Sequence, residues 1–119
     1  MTPLKLAKNI AKILDNKKAV DLKVIKIDDL TVLADYFVIA GGTSTTQIRS
    51  LADEVEATLE KNHKTFVGHR EGVKTGDWVL LDYGSIIVHI FSAQARDFYN
   101  LEQVWKDGEQ IDLSEVLKD

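Results

Sequence analysis

The sequence predicts an α/β domain in which a mixed β-sheet is flanked by helices. Segments with the apolar period of a helix alternate with short runs of strand length, in the order α-β-β-α-β-β-β-α. No repeat, low-complexity tract or linker interrupts this order, and 119 residues suffice for one core without disulfides or metals. We therefore predict one domain over residues 1–106, followed by an acidic C-terminal tail at 107–119.

Two helices and two strands are predicted in the first half of the chain. They are a helix from Pro3 to about Asp15, a strand within 21–28, a strand at 36–40, and a helix that begins after Ser44 and ends near His63. Pro3 suits the first turn of a helix, and Ser44 with Gln47 three residues on forms a capping box. The continuous apolar run YFVIA predicts a strand that is buried on both faces.

The second half is predicted to contain three strands and a final helix. The stretch TFVGHREGVKTGDW is broken by glycines and predicts a short strand and a loop, whereas WVLLD and SIIVHIF are stronger strands joined tightly around Tyr83-Gly84. The last helix extends from its N-cap, Ser92, to Trp105. The residues that helical spacing assigns to its core-facing side are Ala95, Phe98, Leu101 and Trp105.

The last two predicted strands form a hairpin with two unlike faces. Side chains alternate across a strand, so the short, even-length turn fixes which residues share a face. The aliphatic face comprises Val79, Leu81, Ile86, Val88 and Ile90. The mixed face comprises Trp78, Leu80, Asp82, Ile87, His89 and Phe91. We expect helices to cover the aliphatic face, while the mixed face carries a carboxylate, an imidazole and an indole.

Two interpretations of the mixed face stay open. It is either a second buried layer, in which Trp78 and His89 satisfy each other, or a partly exposed face for docking a protein. On the final helix, Arg96 and Tyr99 lie three residues apart on one flank, and Glu102 follows three residues beyond Tyr99. That flank is either a surface ion pair of little energetic weight or a polar rim beside the mixed face.

The charge and composition of the chain bear on its partners. The net charge is −4, the lysines and arginines are scattered, and the C-terminal tail is acidic. Because nucleic-acid binders gain most of their affinity from basic patches, direct readout of RNA or DNA is disfavoured and a basic protein partner is easier to accommodate. There is no cysteine and no apolar run of membrane-spanning length. These features indicate a cytosolic-type protein, cytoplasmic and without a membrane partner.

The sequence contains partial matches to several catalytic patterns. GGTSTTQ precedes a helix, where backbone amides can hold an anion, and it resembles the glycine-serine turn of nucleotidyltransferases. However, Asp82 is the lone carboxylate of the two late strands, and a two-metal site needs more ligands. Neither a phosphate-binding P-loop pattern nor a nucleophile elbow occurs, and His63, His69 and Glu71 are too few for a convincing metal site. GGTST is therefore interpreted mainly as a tight turn and helix cap.

The chain from about Leu22 to Trp105 resembles the ribosomal silencing factor S family, also called the Iojap family. The segments that carry the resemblance are DYFVIAGGTSTTQIRSLADEV, HREG and GDWVLLDYGSIIVHIFSAQARDFYNLEQVW. Its most specific positions are Trp78, Asp82, Gly84, His89, Arg96, Tyr99, Leu101, Glu102 and Trp105. Ser85 departs from the pattern, because the family often has an acidic residue there, and this affects only the charge of the turn.

The resemblance implies a function without catalysis. Family members bind ribosomal protein number fourteen of the large-subunit set, block association of the subunits and thereby repress translation under nutrient limitation. The family fold looks like a nucleotidyltransferase domain without its catalytic carboxylates, and it implies no cofactor and no metal. The residues expected to bind the partner are Trp78, Leu80, Asp82, Ile87, His89, Phe91, Arg96 and Tyr99.

Three alternatives accompany this interpretation. An unoccupied apolar face can pair with itself, so a homodimer of the free protein is one of them. A nucleotide-binding or nucleotidyl-transferring enzyme that uses GGTST is the alternative from another functional class. In the tail, Ile111, Val116 and Leu117 allow a short docked helix, but fraying is the expected state of this terminus.

Overall fold

The computed structural model describes residues 1–72 and 76–117 as a six-stranded sheet with helices on both sides. Its elements are α1 (Pro3–Asn16), β1 (Val20–Lys26), β2 (Tyr36–Gly41), α2 (Thr45–His63), β3 (His69–Gly72), β4 (Trp78–Asp82), β5 (Ile86–Phe91), α3 (Ala93–Tyr99), α4 (Leu101–Val104) and β6 (Glu109–Gln110). The predicted α/β class with a mixed sheet is confirmed. Part of the loop predicted within TFVGHREGVKTGDW, residues 73–75, lies outside the described residues.

The strand order is β3-β4-β5-β2-β1-β6. β2 and β5 run parallel, and the other neighbouring pairs are antiparallel. Every residue of β2 is buried. This confirms the strand predicted from YFVIA, because a strand that lies between two covered faces needs apolar side chains on both.

Helices cover the two faces of the sheet unequally. α1 and α2 pack on one face and form the first core, whose fully buried members include Ile10, Leu14, Val24, Val38, Leu51, Val55, Leu59, Leu81, Val88 and Ile90. The shorter α3 and α4 lie on the other face and form the second core, whose buried members are Ile25, Ile27, Ala34, Phe37, Ile39, Phe91 and Ala95. On the β3-β4 side of this face, β3 is exposed and Trp78 and Leu80 of β4 are only half-buried. None of the helices in the described part of the chain is long and apolar enough to cross a membrane.

The GGTST segment begins α2 as predicted. The Ser44 hydroxyl oxygen accepts a hydrogen bond from the Gln47 amide at 3.0 Å. The Gln47 side-chain oxygen in turn accepts from the Thr43 amide and the Thr43 hydroxyl, one residue earlier than in a standard capping box. The polar side chains of this turn thus satisfy the Gln47 amide in the first turn of the helix and the Thr43 amide just before it.

The predicted final helix is wrong in one respect, because it is broken into α3 and α4. Asn100 ends α3 in the left-handed conformation, with φ of 48°, and turns the chain before α4 begins. The break changes the helical phase between α3 and α4, so Phe98 does not share a side with Leu101 and Trp105. Phe98 is therefore 81% exposed instead of lying in the core. Leu101 and Trp105 do pack against the second core, as does Ala95.

The fraying expected for the tail is also wrong over residues 109–117. β6 pairs with β1, with Gln110 opposite Ile25 and Glu109 opposite Lys26. Leu113 is buried in the first core, and the partly buried tail residues that pack against that core are Ile111, Val116 and Leu117. The apolar side chains of the tail therefore have a place in the core that their sequence pattern does not reveal. Residues 118–119 lie outside the described residues.

Candidate functional site

The β4-β5 hairpin sets the site, and its faces are those predicted. The Tyr83 amide donates to the Ile86 carbonyl at 2.9 Å, which leaves Gly84 and Ser85 as a two-residue loop. Gly84 has a φ of 83°, a conformation that favours glycine, and its amide donates to the Asp82 carboxylate at 2.7 Å. All five residues of the aliphatic face are buried under α1 and α2.

The mixed face is graded in exposure from its centre to its edge. Phe91 and His89, only 1% and 5% exposed, belong to the interior. The half-buried members of the face are Trp78, Leu80, Asp82 and Ile87. The buried layer of the first interpretation is present at His89 and Phe91, and the partial exposure that the second requires is present at the other four residues. Docking of a protein on this face stays a prediction.

Stacked rings hold this rim in place. The Trp78 indole stacks on Phe91, with ring centroids 5.4 Å apart, and also contacts Tyr99 from α3 at 4.8 Å. Tyr99 is 41% exposed and extends the apolar surface beyond the sheet. His89 lies parallel to Phe91 at 5.8 Å and meets the Phe37 ring edge to face at 4.8 Å. Packing on several sides restricts the rotamers of Trp78 and Tyr99.

The His89 imidazole is neutral and orients Trp78. Its Nδ1 accepts a hydrogen bond from the Trp78 indole Nε1–H at 3.3 Å, as the sequence suggested for this pair. Nδ1 is thus an acceptor, and Nε2 carries the proton of the neutral ring. Nε2 is buried and has no hydrogen-bond partner within residues 1–72 and 76–117. Burial lowers the pKa of His89 to about 4, so the ring is uncharged near neutral pH.

A shallow hollow of about 260 Å³ borders the mixed face, where β3 pairs with β4. It is lined by Glu71 and Gly72 of β3 and by Trp78 and Leu80 of β4. Glu71 stands opposite Leu80 in the β3-β4 register and so joins the surface. Glu71 was not predicted to belong to this surface, because a glycine-broken loop separates it from β4 and the sequence does not reveal the register across that loop.

Arg96 and Tyr99 do not share one environment, contrary to the flank predicted for them. The Arg96 Nε donates to the Glu102 carboxylate at 2.6 Å, and Lys23 of β1 donates to the other carboxylate oxygen at 3.0 Å. Burial by itself raises the pKa of Glu102, but the hydrogen bonds from Arg96 and Lys23 outweigh it and hold that pKa below its usual value. Arg96 therefore ties α3 to α4 and β1, while Tyr99 stacks on the mixed face.

The ionisable side chains of β3 and α2 form ion pairs and not a metal site. Within residues 1–72 and 76–117, no group of three or more histidine, aspartate or glutamate side chains is placed to hold a metal ion. The exposed His69 pairs with Glu71 at 3.3 Å, and Arg70 pairs with Asp53 and Glu56 of α2. These are local pairs on the edge strand and the neighbouring helix.

The fold and this face define a class: a small α/β domain whose sheet carries two long helices on one face and two short helices beside a braced aromatic surface on the other. Comparison with protein families makes the assignment specific. The sequence model of the family described as ribosomal silencing factor during starvation matches residues 1–119, and the chain belongs to this family. The resemblance seen in the sequence is thereby confirmed.

Individual relatives agree with this assignment. A ribosomal silencing factor of Zymomonas mobilis is 37% identical over 110 residues, which cover 92% of this chain and 82% of that protein. A crystal structure of a Chromobacterium violaceum protein aligns with a TM-score of 0.84 at 28% identity, covering 94% of this chain and 92% of that one. The mouse mitochondrial assembly of ribosomal large subunit protein 1 is 29% identical over 99 residues, covering 81% of this chain and 43% of that protein.

Proposed function

We propose that this protein binds the large ribosomal subunit through the mixed face, blocks its association with the small subunit and so represses translation under nutrient limitation. The partner we infer is the large-subunit ribosomal protein number fourteen. The observation that carries the proposal is the partly exposed Trp78, Leu80 and Ile87, braced by the buried His89 and Phe91. Membership of the ribosomal silencing factor family supports it, as does the name of the mouse relative.

The chemistry of the face suits a protein partner. Tryptophan and tyrosine supply much of the binding energy at protein interfaces when a partner removes them from water. Trp78 and Tyr99 are already held by ring contacts at 4.8 to 5.4 Å, so their ordering costs little free energy on binding. The chain has a net charge of −4, and ribosomal proteins are generally basic, so electrostatic attraction speeds the encounter.

The eight residues expected to bind the partner fall into four roles. Trp78, Leu80, Ile87 and Tyr99 make the apolar contact, and Asp82 at the hairpin turn offers a negative charge to a basic partner. His89 and Phe91 brace the surface from inside. Arg96 acts indirectly, because its contact with Glu102 positions α3 and with it Tyr99.

The mode of action we propose is steric and requires no catalysis. Residues 1–106 carry the binding surface, the protein acts in the cytoplasm, and a bound copy occupies the surface that the small subunit would meet. In the free protein the same apolar face can pair two copies into a homodimer. Such a dimer would have to dissociate before the ribosome is bound.

Co-sedimentation with separated ribosomal subunits tests the proposal. The parent should pellet with large subunits and not with small ones, and Tyr99→Ala should weaken this binding at least about tenfold, because an interfacial aromatic contributes about 2 kcal/mol or more. Phe66→Ala is the matched control, since Phe66 is an exposed aromatic on the connection between α2 and β3.

Two results would count against the proposal. The first is equal binding of the parent to both subunits or to neither. The second is equal loss of binding in Tyr99→Ala and Phe66→Ala, because the mixed face would then have no special part. Melting temperatures of the three proteins have to be measured alongside, so that unfolding is not mistaken for loss of contact.

A further inference from the structure

The loop that joins β1 to β2 exposes three apolar side chains within four positions. Val32 is fully exposed, Leu33 is 65% exposed and Leu30 is 45% exposed. Ala34, the next residue, is buried in the second core. Scattered apolar residues are normal on a surface, but a cluster at the tip of a loop is typical of a contact site.

Hydrogen bonds within the loop fix this exposure. The Ile27 carbonyl accepts from the Leu30 and Thr31 amides at 2.9 and 3.1 Å, and the Ile27 amide donates to the Asp35 carbonyl at 2.9 Å. The Thr31 hydroxyl accepts from the Leu33 amide at 3.2 Å. The loop is therefore closed at its base and turned at its tip, and it presents its apolar side chains in a defined arrangement.

The loop lies at the end of the sheet that also carries the β4-β5 turn. The amides of Asp35 and Tyr36 both donate to the Ser85 carbonyl, at 2.8 and 3.2 Å. Ser85 belongs to the two-residue loop beside Asp82 and close to Ile87, both of which lie on the mixed face. A partner that covers the mixed face and extends past this end of the sheet would thus meet the loop.

The charges of the loop select the class of partner. Residues 27–35 contain Asp28, Asp29 and Asp35 and no basic residue. Lys26 approaches Asp28 at 3.8 Å, but it also stands opposite Glu109 of β6. An acidic surrounding repels phosphates and attracts lysine and arginine, so it disfavours RNA and favours a basic polypeptide.

We propose that residues 28–35 form a second contact site, which binds a basic polypeptide segment of the large ribosomal subunit. Val32 and Leu33 insert between apolar parts of that segment, and the aspartates pair with its basic side chains. This inference rests on the proposed ribosome binding and adds a contact outside the mixed face. A second site explains why apolar side chains are held in water by an ordered loop.

Site-specific photo-crosslinking on purified large subunits tests the inference. The probe is p-benzoyl-phenylalanine, placed in separate proteins at position 32, at position 99 on the mixed face, and at position 66 as a control. Adducts are identified by mass spectrometry for protein and by primer extension for ribosomal RNA. We expect position 32 to yield an adduct with a basic ribosomal protein and position 66 to yield none.

The pattern of adducts separates the two proposals. Adducts at position 99 with none at position 32, or an RNA adduct at position 32, overturn the loop contact alone. A protein adduct at position 32 without one at position 99 supports the loop contact and counts against the mixed face. Absence of adducts at both positions overturns both proposals.

A binding measurement provides a second test of the same loop. Val32→Ser combined with Leu33→Ser should weaken large-subunit binding about tenfold and leave the melting temperature unchanged, because these side chains are mostly in water. Asp28→Asn combined with Asp29→Asn should weaken large-subunit binding at low salt. The difference from the parent should shrink as the salt concentration is raised, because salt already screens the attraction that the variant lacks. Wild-type affinity in both double variants would overturn the proposal.

Discussion

Acidification should destabilise the domain through His89. The unfolded histidine takes up a proton near pH 6.5, whereas burial lowers the pKa of the folded His89 to about 4. Between these values the unfolded chain binds one proton more than the folded chain, so the free energy of unfolding rises with pH. The stabilisation is fully present above about pH 6.5 and is lost as the pH falls towards about 4.

The magnitude follows from the pKa difference. Each tenfold change in proton affinity corresponds to about 1.4 kcal/mol, so the depressed pKa of His89 is equivalent to about 3 kcal/mol. Most of that should be lost between about pH 7 and about pH 4.5. Carboxylates begin to titrate at the lower pH, so the effect of His89 is the difference between the parent and a variant that lacks this imidazole. Protonation would also remove the acceptor that Nδ1 offers to the Trp78 indole.

Urea unfolding of the parent and of His89→Asn at both pH values measures the effect. Asparagine cannot be charged, and its amide oxygen can replace Nδ1 as the acceptor for Trp78. The variant should be less stable at neutral pH because it loses ring volume, but it should lose clearly less stability than the parent on acidification. His69→Gln is the matched control, because His69 is exposed on β3 and its removal should leave the acid sensitivity of the parent. Equal acid sensitivity in His89→Asn and the parent would refute a buried neutral His89.

Three further predictions follow from the packing. Val88→Asp should unfold the domain, because a buried unpaired carboxylate costs several kcal/mol; a parent-like melting curve by circular dichroism would contradict this. Truncation after Lys106 should lower the free energy of unfolding by about 2 kcal/mol or more through loss of Leu113, and urea titration checks it. Asp82→Lys should lower the free energy of unfolding by about 1 kcal/mol, because the hydrogen bond from the Gly84 amide is lost, and it should weaken large-subunit binding. Asp82→Asn should retain this hydrogen bond and the turn. Unchanged binding in Asp82→Lys would place the contact elsewhere.

Local signals in the sequence were sufficient for much of the fold. The apolar run of β2, the Ser44 cap and the alternation along β4 and β5 each depend on residues within a few positions of one another. The two-residue loop at Gly84 then fixed the faces, because an even-length connection keeps opposite residues on the same side. The pairing of Trp78 with His89 followed from that alternation.

Features set by distant contacts or by a change of helical phase were missed. Phe98 was assigned to the core because its spacing assumes one continuous helix, yet asparagine is a common left-handed helix end and Asn100 could have indicated the break. The packing of Leu113 depends on β6 joining β1, elements about eighty residues apart, and no local period encodes that pairing. The place of Glu71 beside Leu80 has the same origin, since its register is set across a loop.

The alternation along β5 constrains how this protein can diverge. Val88 and Ile90 point into the first core, while His89 and Phe91 support the surface we propose for binding. Within this hairpin, natural variation that adjusts the proposed binding should therefore be confined to half-exposed positions such as Leu80 and Ile87. Substitutions at the neighbouring core positions, such as Val88, would instead destabilise the fold and reduce the amount of folded protein. A genetic screen for escape from silencing should thus return two kinds of mutant, and measuring cellular protein levels would distinguish those that fail to bind from those that fail to accumulate.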